Sequence, residues 1–114
     1  MTYKEIAAMV ASVGVPYAYY QFDEGTAEAP PFICFFYPGS DDMIADNTNY
    51  QALRPLTIEL YTDNKDFALE ATVEAILNAN GVPFTRNEVF IDTERMYQIT
   101  YFSEVVITPE QTEE

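Results

Sequence analysis

The residues of this chain that could do chemistry are carboxylates. Nineteen of its 114 residues are Asp or Glu, five are Lys or Arg and none is His, which leaves a net charge of −14. Without histidine the commonest general base and the commonest nitrogen metal ligand are both missing. Asp41, Asp42 and Asp46 lie close enough in sequence to meet a hard cation. They lack the alternate spacing and central glycine of a Ca²⁺ loop, so they read as solvated loop charges, and neither a metal nor any other cofactor is expected. Paired carboxylates for glycoside hydrolysis need a cleft, and on a chain this acidic some pair always falls at a suggestive spacing. A phosphate-cradling Gly-rich loop, a Cys or His cluster and a serine set beside a histidine are all absent from the sequence. Non-enzymatic work is therefore the expectation.

One acidic pattern has a period. Asp66, Glu70 and Glu74 recur every fourth residue and would form a single stripe on a helix, where like charges cost a few tenths of a kcal/mol per pair, on the order of 0.3. Within that helix the only basic residue is Lys65, at its start. The stripe is either a solvated face or a face kept for a basic partner or a negatively charged passage. Phe67, at about 100° per residue, points away from the apolar stripe of the same helix, and either folds over a sheet edge or meets a partner. The single cysteine, Cys34, lies in the apolar run Phe32-Ile33-Cys34-Phe35-Phe36-Tyr37 and reads as an inert core thiol.

The charge also excludes. A body at −14 lacks the clustered cations that bind a phosphate backbone by counterion release and is repelled by anionic lipid. Neither sequence-specific nucleic-acid binding nor membrane association is expected. Disorder is excluded as well, because the chain is 48% hydrophobic and 15% aromatic, ample for a core. The length fits a single α+β domain, residues 1–108, followed by an acidic and disordered tail at 109–114. Lys4 before the apolar stretch Ile6 to Val15 loosely imitates a secretory leader. Glu5 interrupts it, alanine replaces leucine, and Thr2 with Glu5 has the spacing of a capping box, so a helix is the better reading.

The elements that must position these residues follow from periodicity. Ile6, Met9, Val10 and Val13 have helical spacing, stopped by Gly14 and Pro16. Pro16 to Phe22 is β-prone, Asp23 to Pro31 is a loop, and the all-apolar run from Phe32 to Tyr37 suits a strand covered on both faces, by helices on one side and by a partner on the other. Pro38 to Arg54 has no sustained period and reads as a long loop. Leu56, Ile58 and Leu60 alternate with Thr57, Glu59 and Tyr61 as a half-buried strand, with Pro55 confined to its start. A second helix runs from Asp63 or Asn64 to Asn80 with Leu69, Val73, Ile76 and Leu77 as its core stripe, and Gly81 ends it. Strands from Phe84 to Ile91 and Met96 to Ile107 close the chain. Gly14-Val15-Pro16-Tyr17 and Gly81-Val82-Pro83-Phe84 are echoes: in each, Gly ends a helix, Pro bars its continuation and an aromatic opens a strand. The sum is an antiparallel or mixed sheet of about five strands with two helices on one face, in the order α-β-β-β-α-β-β.

The ordered series Tyr17-Ala18-Tyr19-Tyr20-Gln21-Phe22, Pro30-Pro31-Phe32-Ile33, Ile58-Glu59-Leu60-Tyr61-Thr62, Asp66-Phe67, Glu88-Val89 and Met96-Tyr97 resembles small proteins from the tail-morphogenesis regions of phages and prophages of Gram-positive bacteria. The likeness runs from about Tyr3 to Ile107. It is to the head–tail joining and tail-completion, or tail terminator-like, proteins of long non-contractile-tailed phages. The resemblance implies a homo-oligomeric ring, typically a hexamer, between the tail tube protein and the head-side connector protein. It implies host cytoplasm during assembly and the virion's head–tail junction thereafter.

Ring subunits need complementary, non-identical faces, and Met43, Ile44 and Tyr50, with Phe67, are the expected contacts to a neighbour or the tube. Asp66, Glu70 and Glu74 would line a lumen that repels DNA phosphates. Two other readings stand beside this one. A DNA mimic inhibiting a nucleic-acid enzyme would need carboxylates spaced like phosphates along one face, whereas these are scattered. A tail-assembly chaperone would be absent from the finished particle.

Overall fold

A computed structural model describes residues 1–22, 28–39, 43–45 and 48–109, with 43–45 and 48–51 described by their backbone. Helix α1 (Tyr3–Ala11) opens on the capping box its sequence implies. Thr2 Oγ1 accepts from the Glu5 amide at 3.1 Å while Glu5 Oε1 accepts from the Thr2 amide at 2.7 Å, so two amides without helical partners are satisfied reciprocally. Its Ile6, Met9 and Val10 are buried. Gly14 and Gly81 both take positive φ, +95° and +69°, and each is followed within three residues by a strand, so the repeated Gly-Val-Pro-aromatic motif is a repeated local device.

Strands β1 (Tyr17–Tyr19), β2 (Phe32–Phe36), β3 (Met43–Ala45) and β4 (Thr48–Thr62) precede α2 (Phe67–Ala79), and β5 (Phe84–Ile91) and β6 (Met96–Ile107) follow it. The sheet order is β1-β2-β4-β6-β5, with β3 paired to β4. β1 runs parallel to β2 and every other pairing is antiparallel. The fold is thus the expected α+β class, a mixed sheet with two helices, and one core joins Ile6 and Val10 of α1, Val73 and Leu77 of α2, and the sheet residues Ile33, Ile58, Leu60 and Ile99. Register accounts for the shared face: Ile33 lies opposite Leu60, which lies opposite Ile99, and Ile58 opposite Tyr101. Alternation then sends Cys34, Glu59 and Thr100 to the other face.

Three expectations change. The segment Pro38 to Arg54 is not a structureless loop, since β3 and the first residues of β4 form a hairpin within it. Pairing with β3 holds those residues extended where side-chain alternation gives no signal. Pro55 does not begin its strand but lies inside β4, opposite Glu104 of β6. The β2 ladder stops at Thr57, so at Pro55 no β2 residue requires the missing N–H. The expected strand from Pro16 to Phe22 ends at Tyr19, because Tyr20 adopts φ +69°, outside the extended region.

Candidate functional site

Helix α2 is anchored by its acids. It starts later than its sequence suggests, with Asp66 as N-cap accepting from the Leu69 amide at 3.0 Å. One turn on, Glu70 is only 2% exposed. Its Oε1 accepts from Arg86 of β5 at 2.8 Å and its Oε2 from Lys65 at 2.5 Å. Glu74 Oε2 accepts from Arg86 at 2.7 Å and from the hydroxyl of the fully buried Tyr101 at 2.9 Å, and Lys65 also reaches Glu88. Burial, then the bond to Glu74, pushes the Tyr101 phenol well above its ordinary value.

This corrects the reading of the stripe. Glu70 is buried against β5, where Arg86 pairs with both Glu70 and Glu74 across the helix–sheet interface, whereas Asp66 caps the helix. Sequence reasoning missed Arg86. The available signal was that Arg86 lies on the strand joined to α2 by only four residues.

Phe67, on the first turn of α2, is 73% exposed, as its position relative to the core stripe suggests. Lys65 Nζ sits 4.8 Å from its ring centroid and 5.9 Å from that of Tyr97, and Tyr97 in turn meets Phe90 edge-on at 5.0 Å. The side chains of Met43, Ile44 and Tyr50 lie outside the described residues, as do Asp41, Asp42, Asp46 and residues 110–114 of the tail. Among the described residues no group of three or more His, Cys, Asp or Glu could hold a metal ion, and no helix is long and apolar enough to cross a membrane.

The face of the sheet turned away from the helices is aromatic. Phe32 stacks on Tyr61 at 4.8 Å, Phe22 meets Phe32 edge-on at 5.5 Å, and Tyr20 leans on Phe36 at 5.1 Å. Its polar groups are satisfied within it: Glu59 accepts from the Tyr61 hydroxyl at 2.9 Å and from Gln98 Nε2 at 2.8 Å. Phe22, Phe32, Tyr61, Ile91 and Met96 border a cleft of ≈ 550 Å³ that also reaches Cys34. Burial, then Glu59, pushes the Cys34 thiol up, so it stays protonated and inert. On the helix side of the sheet, Tyr3 of α1 packs on Tyr37 at 5.1 Å and Tyr19 on Phe35 at 5.5 Å. The Tyr37 hydroxyl is buried there without a hydrogen-bond partner, and desolvation raises it to about 12. Both surfaces offer concave shape and apolar area.

No family model matches the chain, and no curated protein matches it. Eleven chains of solved structures do match. One belongs to the virion of a native gene transfer agent particle. It is 16% identical, and the alignment has a TM-score of 0.62 and covers 89% of this chain and 84% of that one.

Proposed function

We propose that this chain is a structural subunit of a phage-like virion, a non-enzymatic protein that works by assembling. The observation that carries this reading is the likeness of fold, over nearly the whole of both chains, to a virion chain. It agrees with the resemblance of the sequence to tail-morphogenesis proteins, which the comparison did not use as its criterion. An aromatic open sheet face and the exposed Phe67 supply surface for contacts between subunits.

Within the virion, the reading extends to a ring subunit, a hexamer, that joins head to tail or completes the tail between tail tube and connector. The subunit would fold in the host cytoplasm and end at the head–tail junction. An acidic lining would keep the passing DNA from adhering. With Glu70 buried, that lining has to come from other acids, of which Asp66 and the partly exposed Glu74 are the stripe's remaining candidates. Met43, Ile44 and Tyr50 remain the hairpin residues proposed for contact with a neighbour or the tube.

Two measurements test this. Light scattering across a concentration series should give a cyclic oligomer, and mass spectrometry of purified particles should find the chain in the virion. Absence from the particle would turn the reading to an assembly chaperone, and a stable monomer that competes with DNA for an enzyme would turn it to a mimic.

A further inference from the structure

The two strands that end the sheet are β1 and β5, at opposite edges of one sheet. Exposed large side chains gather at both. Tyr17, Tyr19 and Tyr20 are 44%, 54% and 62% exposed beside β1, and Phe67, Val89 and Phe90 are 73%, 43% and 43% exposed beside β5. Phe102 and Val106, on β6, and Tyr3, packed on Tyr37, are the other exposed large apolar or aromatic side chains among the described residues.

The β5 edge is unprotected. It is eight residues long, carries no proline, and pairs with β6 in unbroken register, so its outer row of amides and carbonyls is a template for another strand. Its charged residues, Arg86 and Glu88, are engaged with α2 and Lys65 rather than set outward as a guard.

We propose that the β1 edge of one copy docks on the β5 edge of a second copy of this chain, continuing the sheet from subunit to subunit. Because β1 lies parallel to β2, and each of β2, β4, β6 and β5 runs against the next, β1 and β5 point in opposite directions. A neighbour brought in without inversion therefore pairs antiparallel. The two edges differ, so the contact is heterologous, the kind that closes into a ring when its rotation permits. Tyr17 and Tyr19 of one copy would cover Phe67 and Phe90 of the next. This inference rests on the ring reading above and specifies its contact.

The test uses two edge variants, Tyr17→Asp and the double variant Phe67→Asp with Val89→Asp, each checked for folding by thermal melting. Wild type should form the oligomer and each variant alone should be monomeric. Mixed one to one, the variants should give a dimer that grows no further, since each retains the edge that the other has lost. Variants that assemble like wild type, or a mixture of folded monomers that stays monomeric, would overturn the edge contact and leave the ring intact. A wild type that is monomeric at every concentration would instead sink the ring reading, and the edge contact with it.

Discussion

Glu70 shows how a single residue changes meaning between a helical wheel and a packed interface. Its carboxylate is buried with two cations against it, and removing it costs Lys65 and Arg86 one charged hydrogen-bond partner each. Glu70→Ala should therefore lower unfolding free energy by about 2–4 kcal/mol, read from urea denaturation. Glu70→Lys, which sets a third cation against Lys65 and Arg86, should be worse. The phenols divide by partner. Tyr101→Phe deletes a bond to Glu74 and should cost about 1–2 kcal/mol. Tyr37→Phe removes a hydroxyl that is buried unpaired and should be neutral or stabilising by up to about 1 kcal/mol, both read as midpoint shifts. Burial raises Tyr37 from its ordinary 10 to about 12 and pushes Tyr61 and Tyr101 up also. Folding thus favours the protonated phenols: their contribution is intact below pH 10 and falls away as pH rises from 10 through about 12. Denaturation at stepped alkaline pH, with phenolate absorbance followed in parallel, should show stability dropping before the buried phenols ionise.

Among the elements, those legible in sequence are the ones whose signals are local. The capping box at Thr2 and Glu5, the two Gly-Val-Pro exits and the alternation of Leu56, Ile58 and Leu60 each depend on neighbours a few residues away, and each stands in the fold. The β3–β4 hairpin was hidden because backbone pairing, which leaves no periodic trace, holds it extended. Arg86 was hidden because its partners lie 12 and 16 residues away and meet it only once α2 lies over β5. The expected contact residues Met43, Ile44 and Tyr50 fall in that same hairpin, so the part of the candidate site least legible in sequence is also its least regular. The cap of α2 offers a test at this scale. Asp66→Ala should cost about 1 kcal/mol, whereas Asp66→Asn, which keeps an oxygen for the Leu69 amide, should cost less than half of that, measured by thermal melting.

For the whole molecule the charge of −14 works against self-association, since every copy repels the next. If assembly depends on apolar edges meeting against that field, added salt should strengthen it by screening, and the apparent dissociation constant should fall as NaCl rises. Association built on exposed ion pairs would weaken instead. The same net charge opposes nonspecific aggregation of single chains. The position of β4 has a different consequence, one of timing. It pairs with β2, made before it, and with β6, the last described strand, along Ala52 to Thr62. Ile58 and Leu60 therefore stay open on one flank until β6 has been made, and β5 has no strand to pair with before β6 emerges. Contacts of such long sequence separation form slowly. A ribosome-bound chain stopped before Met96 should hence expose apolar surface and remain protease-sensitive, since β5 gains its partner strand only once β6 is made.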